Sequence, residues 1–173
     1  AEINAANYPN IRFFTVQPSN AAAPIFDWRE EMPAPYGRWY STSPATAGSQ
    51  SAVGYYFGRM LHKELGVPVG LVNTSYGGAT AQAYTPIEAL EDDSRLKANF
   101  VDPYKANPDM NVLVRPAELY NSMVHPLLPL SARGVVWYQG EGNWGDYPIY
   151  PLLMKTLING WRRNFAHSEM PFY

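Results

Sequence analysis

Two glycine-punctuated stretches carry the residue types that can do chemistry in this chain. The first is Gly134-Val135-Val136-Trp137-Tyr138-Gln139-Gly140-Glu141-Gly142-Asn143, an apolar run that breaks into polar residues. A glutamine amide offers N–H donors to an oxygen gaining negative charge, and a carboxylate offers acceptors that orient such a donor or a substrate hydroxyl. Glycines on either side of Glu141 let the backbone approach a ligand. The second is Val67-Pro68-Val69-Gly70-Leu71-Val72-Asn73-Thr74-Ser75-Tyr76-Gly77-Gly78-Ala79-Thr80, where an apolar run ends in a Gly-Gly turn. Such a turn exposes backbone N–H groups, which are donors for an oxyanion. Two such loops can face one pocket, with Gln139 and the Gly77 or Gly78 N–H as candidate donors to one oxygen and Glu141 as a candidate to orient Gln139 or a hydroxyl. The plain alternative is that Gln139 and Glu141 cap a helix starting near Asp146, because Gly and Asn gather in turns.

Acyl transfer also needs a nucleophile and a base. Ser75-Tyr76-Gly77 is the second half of a G-x-S-x-G elbow, and Ser75, Glu141 and His167 follow the chain order of an α/β-hydrolase triad. Against this, Asn73 stands where the elbow needs Gly, and His167 lies in an unpatterned polar tail. His62, between Leu61 and Lys63, has no carboxylate placed to orient it and is expected on the solvent side of its helix. Asn121 and His125 are four residues apart, which puts them on one helical face. Next to Pro126, His125 reads most simply as a hydrogen-bonded structural histidine. Ser75, Asn143, Asn121 and His125 are the candidate substrate contacts.

These groups need elements to hold them. The run 134–139 is expected to be a strand buried on both faces, so that Gln139 and Glu141 emerge at its end, where open α/β sheets bind ligands. Strands are expected at residues 11–16 and 67–73. Residues 17–44 hold five prolines and read as a long loop. Ser51 is placed to cap a helix running to Leu65, with Val53, Phe57, Met60 or Leu61, and Leu65 as its core stripe and Gly66 as its stop. Thr85-Pro86-Ile87-Glu88 has the capping-box pattern for a helix to about Leu96. A loop is expected over 102–116 and a short helix over 117–128. A last helix from about Asp146 carries Leu153, Leu157, Trp161 and Phe165 at four-residue steps, with Arg162 and Arg163 complementing its dipole. Alternating strands and helices imply an α/β fold.

Composition narrows the function classes. The 173 residues, 46% hydrophobic and 16% charged, suffice for one domain with a core. A net charge of −2 gives no basic field for nucleic acid and no patch for a membrane surface. With no Cys, thiolate chemistry and disulfides are excluded. Asp, Glu and the three His show no metal-ligand spacing, so neither metal nor cofactor is expected.

The segments Gly70-Leu71-Val72-Asn73-Thr74-Ser75-Tyr76-Gly77-Gly78, Tyr120-Asn121-Ser122-Met123-Val124-His125-Pro126-Leu127 and Trp137-Tyr138-Gln139-Gly140-Glu141 resemble, in order and spacing, the sialate O-acetylesterase family of SGNH-type esterases. The resemblance extends to residues 51–65 and 157–162. It implies a three-layer, flavodoxin-like parallel sheet with helices on both faces. It also implies a serine hydrolase that removes acetyl groups from sugars, of sialate or acetylxylan type, in an extracytoplasmic setting. The family's glycine role falls on Gly77 or Gly78 and its amide role on Gln139. Its nucleophile segment and its catalytic-histidine segment have no counterpart in the sequence. The expectation is therefore one esterase core over 1–173, truncated at both ends, with a strand missing between 11–16 and 68–73 so that these two face a gap. The missing segments are expected from the same polypeptide or a complementary chain. Two alternatives stand beside this: a non-catalytic glycan-binding fragment using the aromatic loop between Asp27 and Tyr40, and an esterase using Ser75.

Overall fold

Burial of Ile11 and Phe13 on one face organises the first part of the molecule, a computed structural model describing residues 1–28 and 32–173. By contact the chain divides into two compact units: Ala1–Gln17 with Arg29–Ser75, and Pro18–Trp28 with Tyr76–Tyr173. Residues 29–31, inside the expected aromatic loop, lie outside the described residues.

The first unit contains α1 (Glu2–Ala5), β1 (Tyr8–Thr15), β2 (Trp39–Thr42), α2 (Ala52–Leu65) and β3 (Val69–Asn73). The sheet order is β2-β1-β3, with β1 antiparallel to β2 and parallel to β3. It is thus mixed where a parallel sheet was expected. β2 falls inside the expected loop; its four residues pair with β1 from Trp39 opposite Phe14 to Thr42 opposite Tyr8, and the Phe14 and Trp39 rings stand 5.5 Å apart. The expected gap is absent, because β1 and β3 are direct hydrogen-bonded neighbours, Ile11 opposite Val69 and Thr15 opposite Asn73.

α2 begins and ends as its sequence dictates. Ser51 Oγ accepts from Gly54 N, and Gly66 closes the helix in the left-handed conformation at φ +67°. Its buried face is not the expected stripe: Val53, Met60 and Leu65 are exposed, and Tyr55 and Gly58 face inward. The reason is steric. A Cβ at Gly58 would stand 2.6 Å from Leu71 Cδ1, so α2 approaches the sheet most closely along its glycine side. There Tyr55 joins Ala6, Ile11 and Phe13 in one apolar cluster. The Tyr55 hydroxyl and Arg59 both donate to the Glu2 carboxylate.

The second unit is built from short helical pieces: a 3₁₀ turn at Ala81–Tyr84, α3 (Ile87–Glu91), α4 (Ser94–Leu96), a π-helical segment at Lys97–Val101, and α5 (Asp102–Ala106). A second π-helical segment at Tyr120–Val124 and a 3₁₀ segment at Glu141–Asp146 precede α6 (Tyr150–Asn164). The capping box at Thr85 does not form. Buried Thr85 turns its hydroxyl back to Ala81 O at 2.8 Å, and the expected single helix breaks before α4, which Asp93 caps. α5 lies where a loop was expected.

The run 134–139 is not a doubly buried strand. Val135 pairs in parallel with Phe172 alone, and Val136 and Tyr138 are 38% and 80% exposed. Val136 and Tyr138 alternate onto the same face of the extended run, and that face is open to solvent. α6 starts four residues later than expected, buries Leu153, Leu157 and Trp161, and ends before Phe165. Arg162 does more than complement a dipole: its Nε donates to Met170 O at 3.0 Å. Together the two units make an α/β fold. No helix among the described residues is long and apolar enough to cross a membrane.

Candidate active site

The loop after β3 is shaped by its two glycines in different ways. Gly78 adopts φ +81°, which an L side chain resists. Gly77 has ordinary φ, and a Cβ there would meet nothing within 4 Å. Neither backbone conformation nor packing among the described residues therefore requires glycine at 77. Ala79 N–H is bonded to Tyr76 O, and Thr80 ties the loop to Leu113 O through both N–H and hydroxyl at 2.9 Å. Among the described residues, the Gly77 and Gly78 N–H groups meet no acceptor. Two unspent donors thus sit in a loop whose far end is anchored.

Gln139 is held against this loop. Its Nε2 donates to Ala79 O at 3.1 Å and to Asn143 Oδ1 at 2.8 Å, and its Oε1 accepts from the Tyr150 hydroxyl at 2.9 Å. Asn143 is 2% exposed and sits at the centre of a closed network. Its Oδ1 also accepts from Ala81 N at 2.8 Å, and its Nδ2 donates to Gln82 Oε1 and Asp146 Oδ2, each at 2.8 Å. The 3₁₀ segment at Glu141–Asp146 turns Asn143 inward, and Gly142 permits the contact: a Cβ there would lie 2.9 Å from Ala79 O.

Two sequence expectations change here. Asn143, expected to touch substrate, is buried with both amide atoms committed. Glu141, expected to orient Gln139, is exposed and makes no hydrogen bond or ion pair among the described residues. Tyr150 and Asn143 hold Gln139 instead. Tyr150, Asp146 and Gln82 were not singled out from sequence; the signal for Asp146 was its i+3 spacing from Asn143 on a tight helical turn. Around the network, Tyr138, Trp144 and Tyr147 present large aromatic rings that are 80%, 84% and 79% exposed.

The remaining candidates go elsewhere. Ser75 Oγ donates to Asn73 Oδ1 at 2.7 Å, and Ser75 N donates to the same oxygen. An amide oxygen is no base, so this contact leaves the serine unactivated. Asn121 is buried, with Nδ2 donating to Ala21 O, and His125 Nδ1 lies 2.8 Å from Ile25 O. Both fasten residues 18–28, as does Trp28, whose indole N–H donates to Ser122 O. That carbonyl is four residues before Pro126, which has no N–H to offer it. His62 Nδ1 meets Val67 O at 2.6 Å, and His167 N–H donates to Arg162 O. Glu118, 3% exposed, accepts from Asn20 and Tyr104 and pairs with Arg115. Burial first, and the Glu118 carboxylate second, push the Tyr104 hydroxyl up to about 12.

A family model described as carbohydrate esterase, sialic acid-specific acetylesterase matches residues 37–173, which includes every residue of the Gln139 network. The chain belongs to this family. It is 33% identical over 175 residues to the sialate O-acetylesterases of Pongo abelii and Homo sapiens, covering 96% of this chain and 31% of each relative. A crystal structure of a carbohydrate acetylesterase from Xanthomonas citri superposes with a TM-score of 0.81 at 32% identity, over 99% of this chain and 34% of that one. The chain spans about a third of the length of these relatives.

Proposed function

We propose that this chain supplies the oxyanion-binding half of a carbohydrate O-acetylesterase, with Gln139 and the Gly77 or Gly78 N–H as donors. The observation that carries the reading is the pairing of a fully oriented glutamine amide with two unspent N–H groups on the loop it is bonded to. Both Gln139 Nε2 hydrogens are engaged in the resting state, and the bond to Ala79 O, at 3.1 Å, is the longer. A hydrogen bond to an ionised oxygen is roughly twice as strong as a neutral one. As the acyl oxygen gains charge, it competes successfully with the Ala79 carbonyl for that N–H. Binding that strengthens only toward the transition state raises kcat rather than lowering KM.

The nucleophilic serine and the histidine base come, on this reading, from segments joined to or complementing these 173 residues. The substrate class is an acetylated sugar, of sialate or xylan type, met outside the cytoplasm. The names of the relatives and the exposed aromatic rings beside the network support this class.

The test is Gln139→Ala in the polypeptide that joins this chain to its nucleophile and base. A loss of about 10²–10³-fold in kcat with KM nearly unchanged is expected, as for one missing oxyanion donor. Gln139→Glu should be as damaging, since a carboxylate repels the developing charge. A pure KM effect contradicts the assignment.

A further inference from the structure

A glutamine side chain has the same shape whichever end carries the nitrogen, yet only one orientation serves an oxyanion. With Oε1 in place of Nε2, an acceptor would face the negative oxygen. Something must therefore decide the polarity, and the network around Asn143 contains the groups that can. A backbone N–H only donates, and an ionised carboxylate only accepts. Ala81 N–H lies 2.8 Å from one end of the Asn143 amide and the Asp146 carboxylate 2.8 Å from the other. Oδ1 must face Ala81 and Nδ2 must face Asp146. Oδ1 then stands 2.8 Å from Gln139 and demands a donor, which only Nε2 provides; the Ala79 carbonyl, 3.1 Å from the same nitrogen, makes the same demand until the oxyanion takes that N–H and leaves Asn143 to hold the amide. Gln82 and the Tyr150 hydroxyl can each donate or accept, so they follow this order rather than set it.

We propose that Asn143 and Asp146 are positioning residues that lock the polarity of the Gln139 amide, passing the one-way preference of a carboxylate to the oxyanion donor. The proposal rests on the reading of Gln139 as that donor. Asn143 does not touch substrate; it is 2% exposed and acts through Gln139. Burial of Asn143 makes the lock strong, because a reversed amide would set acceptor against acceptor at Asp146 and donor against donor at Ala81.

Exchange of the two side chains tests this in the polypeptide that carries the nucleophile and base. Asn143→Asp keeps the oxygen facing Ala81 and Gln139 but sets a second carboxylate oxygen against Asp146. Asp146 is the titratable group bonded to Asn143 among the described residues, and Tyr150 of α6 reaches only Gln139. Repulsion between the two carboxylates pushes residue 143 off Gln139 and frees its amide to turn, so at neutral pH a loss of about 10²-fold in kcat with KM little changed is expected. Activity should climb as pH falls, because two adjacent carboxylates share a proton that removes the repulsion. Combining Asn143→Asp with Asp146→Asn moves the amide to position 146, where it donates to the new carboxylate, and should bring kcat to within about tenfold of wild type at neutral pH. A merely structural role would lower the melting temperature and leave kcat per folded molecule unchanged, so melting and the folded fraction are measured beside kcat.

The lock is overturned if Asn143→Asp leaves kcat unchanged, changes KM alone, or is not improved by Asp146→Asn. Should Asn143→Asp fail to fold, the double variant is read against wild type: kcat within about tenfold supports the lock, and a loss beyond about 10²-fold, or failure to fold, overturns it. Gln139→Ala, measured alongside, separates the two readings. If it leaves kcat intact, the oxyanion assignment fails; if it lowers kcat while Asn143→Asp does not, only the lock fails. In a Gln139→Ala background Asn143→Asp should cost nothing further, since the two act as one unit.

Discussion

Gly142 stands so close to Ala79 that a Cβ would lie 2.9 Å from the Ala79 carbonyl oxygen, the same oxygen that accepts from Gln139 Nε2. The turn carrying Asn143 and the loop carrying Gly77 and Gly78 therefore touch backbone to backbone. Gly142→Ala must move one of them, because the opposing atoms are carbonyls and not a flexible side chain. The expected cost is about 1–3 kcal/mol of stability, as for overpacking. A displacement of about 1 Å at the donors should also lower kcat by about 10²-fold in the joined polypeptide. Thermal melts and steady-state kinetics check both; an unchanged kcat would separate the contact from function.

Ser75→Ala should leave ester hydrolysis of the joined polypeptide largely intact. Its hydroxyl serves the turn by donating to Asn73 Oδ1 at 2.7 Å, a local bond worth about 0.5–1.5 kcal/mol. Loss of all activity, with covalent labelling of Ser75 by a serine-directed phosphonate, would install the elbow reading instead.

Asp93 should titrate near pH 2. Hydrogen bonding from the Arg95 guanidinium, ahead of the Arg95 and Leu96 backbone N–H groups, holds its carboxyl down to about 2. A folded value below the unfolded one, about 3.9, means the stabilisation is full above that pH and declines as pH falls through about 2. Carboxyl carbon NMR reads the midpoint directly. The difference in melting temperature between wild type and Asp93→Asn should be present at pH 6 and shrink as pH drops below 4. A midpoint near 4 would show that the Arg95 contact does not persist in solution.

The 173 residues alone should hydrolyse no acetyl ester above background, since Ser75 is spent on Asn73 and the family's nucleophile and base segments have no counterpart in the sequence. Native mass spectrometry with an assay on the same sample decides this. A single folded species of the chain's own mass with esterase activity would refute it.

Local physics in the sequence determined much of this protein. Ser51 and Gly66 bound α2 because a side-chain acceptor and a left-handed glycine act within one helical turn. The four-residue rhythm of Leu153, Leu157 and Trp161 put them in the core for the same reason. The polar break at Gln139 and the Gly-Gly turn at Gly77 marked the two loops that meet, since glycine beside a donor is informative on its own. Tertiary structure decided what depends on a partner distant in the chain. β1 and β3 pair directly, and α2 buries Tyr55 and Gly58 instead of its most apolar stripe, because Leu71 lies over Gly58. Thr85 leaves its capping pattern for Ala81 O. Above all, Glu141 looked like the residue to orient Gln139, being nearer in sequence and charged, yet it points to solvent. Asn143 took that place, because Gly142 lets its turn reach the Ala79 carbonyl and because a neutral amide, once buried, can satisfy Ala81, Gln82, Gln139 and Asp146 together. A carboxylate buried among the same groups would face the Asp146 carboxylate, acceptor against acceptor.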